Sequence, residues 1–452
     1  MTGQERTMRT APIVLGTIVM LIAWLTLFSR LPRAIRVRAV IIGAAILTLA
    51  ASAVRIRGVT GDLVPILEWR WASHEAASLP ALPPAPPPPR TPPPPPTEDH
   101  PVPPPSPTDP EAPFIRVQYP QLLGVNRDGV VADVRLARDW AAHPPRVVWR
   151  RAVGPGWSGF AVQNGIAVTH EQRGDRETVV AYRLSDGTPK WAHGDAAHYE
   201  STVAGEGPRA TPTISRGRVF TLGSTGVLNA IALDTGHVIW TRNIGADHDS
   251  PEPEWGRSSS PLAVGDLVVV SAGGTNGRSL VAYHRDTGAP VWQAGDDRMS
   301  YSSPQLATLA GVRQIVILNH TTIVSHDPST GRVLWQHAWP REQPSVAQPL
   351  LLPGDRALFS AGYGIGSRLL QIAADERGDL RATLVWESTR MKAKFTNLVA
   401  RDGFVYGLDD GVLVCLDPAT GERRWKSGRY GHGQVILAGD LLLVQTEEGE
   451  LV

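Results

Sequence analysis

The chain has 452 residues, and its 44 Lys and Arg against 43 Asp and Glu leave a formal net charge of +1. That balance gives no electrostatic footprint for nucleic acid, so no nucleic-acid partner is expected. A single cysteine, Cys415, excludes an intrachain disulfide, a CxxC metal or redox pair and a CxxCH haem attachment. Composition is strongly segregated: of the 40 prolines, 19 fall between Pro80 and Pro113, and the uncharged apolar runs fall almost entirely before Val54.

Taken in chain order, Ala11 to Ser29 is a nearly continuous apolar run and Ala39 to Val54 is a second, shorter one. At about 1.5 Å rise per residue and a hydrocarbon core of about 30 Å, the first spans a bilayer comfortably and the second only just. Two transmembrane helices are therefore expected within residues 1–57. The loop between them carries Arg30, Arg33, Arg36 and Arg38 and no acid, which the positive-inside rule assigns to the cytoplasm. A cleaved signal peptide is the competing reading, but Ala11 to Ser29 is long for an h-region and no A-x-A site follows it promptly.

Residues 58–114 read as a juxtamembrane segment and a proline-rich spacer. From Leu82 to Pro113 proline dominates, and proline lacks an N–H and fixes φ, so polyproline II is the expected conformation. At about 3.1 Å per residue such a spacer holds the next domain about 90 Å away.

From residue 115 to 452 one pattern recurs: a turn, a glycine, three residues and a tryptophan. It appears as SDGTPKW at Trp191, LDTGHVIW at Trp240, RDTGAPVW at Trp292, PSTGRVLW at Trp335 and PATGERRW at Trp425. Trp149 and Trp386 are degenerate members, and the mean interval of about 46 residues fits a four-stranded blade. Within one unit the strands read TPTIS, RVFTLG, VLNAIALD and HVIWTR. Asp402-Gly403 and Asp410-Gly411 supply hairpin turns in another unit. No helical periodicity interrupts the chain from Val147 onward. The expected fold is all-β: a seven- or eight-bladed propeller of four-stranded antiparallel blades, with two transmembrane helices and a proline-rich linker before it.

Thr211-Pro212, Ser260-Pro261, Ser303-Pro304 and Gln348-Pro349 occupy the same place in consecutive units, and Thr396-Asn397 and Gly433-Gln434 continue the series. Small polar residues should therefore ring one mouth of a central channel. Trp149 is expected in an amino-terminal outer strand that completes the last blade and removes an exposed edge. The sequence stops at Val452 inside a strand-like run, so the last blade is expected to be incomplete or the sequence a fragment.

With these repeats, units such as CLDPATGERRW and AIALDTGHVIW resemble the pyrroloquinoline-quinone-like (PQQ-like) repeat. The resemblance covers roughly Pro145 to the end. It implies a propeller closest in character to the outer-membrane assembly factor (BamB-like) and quinoprotein dehydrogenase-like superfamily. In that superfamily dehydrogenases use the quinone with calcium, and other members are non-catalytic. The resemblance also implies that Trp149, Trp191, Trp240, Trp292, Trp335, Trp386 and Trp425 are structural, since a large flat side chain buries well against the next blade.

A quinone and calcium site needs hard oxygen ligands with a carboxylate base and a cation. The candidates are Glu254, Asn397, Lys392 and Lys394, none with a diagnostic spacing. Glu254 with Trp255 also reads as an ordinary loop. Lys392 and Lys394 precede Asn397 and should face the polar ring, while Asp409-Asp410 is explained by turn chemistry. His193, His198 and Glu200 lack H-E-x-x-H spacing and read as a long inter-blade loop, His432 reads as a wall residue of the mouth, and Arg173-Gly174-Asp175 as a turn. No catalytic or metal residue is assigned. The expectation is a non-catalytic binding or scaffolding propeller, without cofactor, on the periplasmic side of the cytoplasmic (inner) membrane, with another protein on a propeller face. The alternative is a PQQ-dependent sugar or alcohol dehydrogenase using PQQ and calcium.

Overall fold

A computed structural model describes residues 3–71, 79–83, 116–340 and 343–452. Most of the expected polyproline spacer, residues 84–115, lies outside the described residues. Contacts divide the chain into two units: residues 1–78 with 201–205, and residues 79–200 with 206–452.

In the first unit, helix α1 (Gly3–Ala23) runs into a π-helical turn at Trp24–Phe28, and helix α2 spans Arg33–Ala53. Among the described residues one helix, α2, is long and apolar enough to cross a membrane. This corrects the expected pair of spans and reverses their ranking. The first apolar stretch is Pro12–Phe28, behind the charged Glu5, Arg6 and Arg9, and at about 1.5 Å per residue it falls short of a hydrocarbon core of about 30 Å. Helix α2 gains its length because the run RAIRVR, read as loop, is helical from Arg33. A single apolar helix near an N-terminus serves equally as an anchor or a signal segment. An antiparallel hairpin, Val54–Val59 with Pro65–Trp69, follows α2 directly.

The second unit consists of repeated antiparallel sheets consistent with a propeller. Six have four strands in sequential order, starting at Ala161, Thr213, Leu262, Gln305, Leu350 and Val399. We number these blades 1 to 6. A seventh sheet pairs Gln434–Ala438 with Leu441–Gln445, and Val130–Val131 joins it in parallel on the inner side. Blade 2 has the strands read from sequence: Thr213–Ser215, Arg218–Leu222, Val227–Ala232 and Val238–Asn243. The expected turns also form, with Asp402 at φ 50°, Gly403 at 81°, Asp410 at 45° and Gly411 at 84°. One short helix, Ile244–His248, capped by the Asn243 side chain, departs from the helix-free expectation.

The repeated tryptophan is a latch between neighbouring blades. Each indole N–H donates to a carbonyl in the outer turn of the following blade: Trp149 to Leu184 (2.7 Å), Trp191 to Leu233 (2.6 Å), Trp240 to Arg285 (2.8 Å), Trp292 to Pro328 (3.2 Å) and Trp386 to Pro418 (2.9 Å). The ring lies flat on that turn's glycine. A Cβ at Gly187, Gly236, Gly288, Gly331 or Gly421 would come within 2.5–2.8 Å of the ring, and all five have φ between 66° and 75°. Turn and tryptophan therefore require each other.

Two members break the rule. Blade 5 replaces the Thr-Gly turn with a longer hairpin at Asp375–Gly378, and the buried Trp335 turns its N–H to Gln314 in its own blade at 2.6 Å. Trp425 is 42% exposed and packs on Tyr406, because among the described residues the seventh sheet offers it no outer turn. Trp149 has its latch, but no strand forms around it. The amino-terminal strand that joins the seventh sheet is Val130–Val131, on the inside, which corrects the expected outer-strand closure.

Blades 1 and 2 meet at a polar seam. Thr241 donates to Asn229 (2.7 Å), Asn229 to Asp195 (2.7 Å), His193 pairs with Asp195 (3.0 Å), and the Ser224 N–H donates to Glu177 (2.9 Å). Burial pushes Glu177 up to about 7 and His170 down to about 4. His193 thus lies in the outer strand Pro189–Asp195 rather than in a loop.

Candidate functional site: the channel mouth

The inner strands of blades 1 to 6 bring the small polar residues into a continuous run of hydrogen bonds from Gly159 to Asn397, which Gly433-Gln434 do not extend, since the Gln434 side chain donates to the Phe395 carbonyl instead (2.7 Å). Backbone N–H groups donate to the equivalent side chain of the next blade: Gly159 to Thr211 (3.2 Å), Thr211 to Ser260 (2.9 Å), Ser260 to Ser303 (2.8 Å), Ser303 to Gln348 (2.9 Å) and Gln348 to Asn397 (2.8 Å). A proline follows the ring residue at positions 212, 261, 304 and 349, where the strand begins and no N–H is needed. The ring inferred from sequence is therefore a hydrogen-bonded belt, and Asn397 is one of its acceptors.

Directly beneath it lies a residue that the sequence reading passed over. Residues 119–131 run along the inner strands: Tyr119 pairs with Val162, Pro120 accepts from Ile214 (2.7 Å), Asn126 accepts from Gln305 (2.9 Å), and Val130 pairs with Leu437. Arg127 is buried at their centre. Its guanidinium donates to Pro304 O (2.8 Å), Pro261 O, Thr213 Oγ1 (3.3 Å) and Gln121 Oε1 (2.8 Å). One side chain thus ties blades 2, 3 and 4, and burial lowers its pKa to about 9. Its acceptors are all neutral, and those in the blades are far away in sequence. The only local signal is an Asn-Arg-Asp-Gly turn in an otherwise apolar stretch.

Above the belt, aromatic side chains cross the axis. Trp255 stacks on Tyr301 (centroids 4.9 Å, 20°), and its ring meets Phe395, from the opposite side, edge-on at 6.2 Å. Phe395 also contacts Tyr363 (6.5 Å) and His432 (5.6 Å). The buried Lys394 holds its ammonium 4.8 Å from the Tyr363 centroid and 5.2 Å from that of Phe395. On the other flank Arg209 lies over Tyr199 (4.6 Å), whose hydroxyl donates to the Glu254 carbonyl (2.6 Å). Burial raises Tyr301 to about 12 and raises Tyr363 further, so both hydroxyls stay protonated.

The sequence candidates separate. Lys394, Asn397 and His432 reach the mouth, and Glu254 stands exposed at its rim beside Trp255. Lys392 does not: its ammonium is engaged by Asp409 and by Asp410 (3.3 Å), and Asp409 also takes Lys426 (2.5 Å). Turn chemistry therefore accounts for Asp410, while Asp409 is a buried clamp for two lysines. His198 sits against Gly174 O (3.1 Å) at the Arg173-Gly174-Asp175 turn.

A ring of antiparallel blades latched by tryptophan, with a polar belt and an aromatic cap around its axis, defines a PQQ-repeat type of β-propeller. The family model described as outer membrane protein assembly factor BamB matches residues 141–250 and 175–427, more than half of the chain, and the chain belongs to this family. The crystal structure of BamB from Moraxella catarrhalis is 18% identical over 65% of this chain and 79% of that chain, with a TM-score of 0.45. A europium-containing methanol dehydrogenase is 12% identical over 74% of this chain and 84% of that chain, TM-score 0.55, a likeness of fold. The quinohemoprotein alcohol dehydrogenase ADHIIG from Pseudomonas putida HK5 is 14% identical over 66% and 64%, TM-score 0.43. None of the curated proteins matches the chain.

Proposed function

We propose that the protein is a non-catalytic binding module: a seven-bladed propeller tethered by α2 outside the cytoplasmic membrane, which docks another protein across the channel mouth. The observation that carries this reading is closure of the axis from both sides, by Arg127 below the belt and by the Trp255–Phe395 contact above it. What remains at the mouth is a half-exposed aromatic surface flanked by Arg209, and aromatic residues and arginine are enriched at protein interfaces. The run Arg30, Arg33, Arg36 and Arg38, at the start of α2, favours a cytoplasmic amino-terminal end and an extracytoplasmic propeller.

The quinone reading fits the donors poorly. Calcium takes six to eight oxygen ligands with several carboxylates, yet no group of three His, Cys, Asp or Glu gathers among the described residues. At the mouth Asn397 Oδ1 already accepts from Gln348 (2.8 Å), and Lys392 is withdrawn into its acidic clamp. No reaction step is therefore derived through a quinone.

The test is a titration of the intact protein with PQQ and calcium, followed by tryptophan quenching. Alongside it, a photo-crosslinking residue is placed at Tyr363 in cells, with Asp402, at the far end of a blade 6 inner strand, as control. Crosslinks to one protein from position 363 and not 402, without saturable quinone binding, support the module. Saturable quinone binding with dye reduction in the presence of glucose or ethanol overturns it in favour of a quinoprotein dehydrogenase.

A further inference from the structure

We propose that the hairpin after α2 is a membrane-surface element, its apolar face lying in the phospholipid headgroup boundary of the leaflet from which α2 emerges. The inference rests on the reading that α2 spans the bilayer. It concerns residues 54–71, to which neither the propeller nor its mouth gives a role.

The register gives the hairpin two unlike faces. Directly paired residues share a face. Val54 pairs with Trp69, Ile56 with Leu67 and, beyond a bulge, Val59 with Pro65, so one face is wholly apolar. The other carries Gly58 opposite Ile66 towards the turn and Arg55 opposite Glu68, joined as an ion pair at 3.1 Å. A soluble hairpin buries its apolar face. Here Ile56 is 58%, Leu67 65% and Trp69 57% exposed, and Trp71, 70% exposed, extends the same side by stacking on Trp69 (5.8 Å, 20°).

Its place in the chain says what covers that face. Strand Val54–Val59 begins at the residue after the last residue of α2, and the Arg70 N–H donates to the Ala53 carbonyl at 2.8 Å, closing the hairpin onto the helix end. A helix that spans the hydrocarbon delivers its last residue to the interface, so the hairpin starts there with no linker. Tryptophan is enriched at that depth because its ring is apolar and its N–H is satisfied by water or headgroup oxygens. The pair Trp69 and Trp71, with the exposed Arg70 between them, matches a phospholipid surface in both chemistry and position.

The experiment uses the full chain, whose native Cys415 is buried, reconstituted into phosphatidylcholine and phosphatidylglycerol vesicles. An environment-sensitive fluorophore is attached at Leu67→Cys or, on the opposite face, at Arg55→Cys, whose side chain is 47% exposed. The Leu67 label should be blue-shifted, quenched by lipids brominated near the headgroup, and quenched several-fold less by aqueous iodide than the Arg55 label. Equal iodide quenching on vesicles that carry the protein through flotation overturns the hairpin proposal alone. Failure to float overturns the spanning reading as well. Protection from iodide without quenching by brominated lipid means a protein surface covers the face, and also overturns the proposal.

Discussion

The rim and the mouth of the propeller are both rich in aromatic residues, and they use them to opposite ends. At the rim Trp191 and Trp240 are buried, each with its N–H donating to a carbonyl of the next blade at 2.6 and 2.8 Å. At the mouth Trp255, Tyr301, Tyr363 and Phe395 touch mainly one another and stay half-exposed. Residue type alone therefore does not separate packing from availability. What separates them is the surface each ring lies on: the rim rings are flat against the glycine turn of the next blade, whereas the mouth rings pack on one another.

The largest effect should come from the link between the two regions. Arg127→Ala strands buried carbonyls in blades 3 and 4 and is expected to cost about 3–5 kcal/mol, read by urea unfolding. At the rim, Trp240→Ala opens a cavity and should cost about 3–4 kcal/mol. Trp425→Ala, at the exposed latch residue, should cost under about 1 kcal/mol. Equal losses at 240 and 425 would break the distinction between latched and unlatched tryptophans.

The polar seam between blades 1 and 2 sharpens the comparison through pH. Folded Glu177 keeps its proton up to about 7, whereas its ordinary value is 4.5. The Glu177 contribution to stability therefore falls by roughly 3 kcal/mol as pH rises through that window, while His170, lowered from 6.5 to about 4, contributes the opposite slope between those two values. Glu177→Gln should remove the falling part and leave the rising one, so that its stability relative to the parent chain grows by roughly 3 kcal/mol in thermal unfolding measured between pH 4.5 and 8. An unchanged slope would assign it elsewhere. The smallest expected change in stability is at the mouth, where Trp255→Ala should shift unfolding by no more than about 1 kcal/mol. The same variant should lose crosslinking from position 363, and retention of partner crosslinks would count against the mouth as the docking surface.

The parts legible in the sequence were those whose partners are local. A Thr-Gly turn and a tryptophan four residues later can be read directly, and so can the Asp-Gly hairpins. The polar ring was legible because repeats superpose equivalent positions. Arg127 was not, because its acceptors in the blades lie 86–177 residues away and form no pattern. Lys392 was misplaced for the same reason, since Asp409 and Asp410 come from the adjoining hairpin and withdraw it from the mouth. The two apolar runs were ranked by the length of each run, whereas the span is set by how far the helix continues past the run, and RAIRVR continues it.

The tryptophan latch has a direction: each blade offers a ring forward and a turn backward, and neither half depends on which blade carries it. A gene encoding such a chain can duplicate or lose one unit and still find every new junction compatible. Blade number then becomes a matter of how many wedges fill a circle, and individual blades are left to diverge, as blade 5 has with its longer hairpin and blade 4 with its self-bonded Trp335.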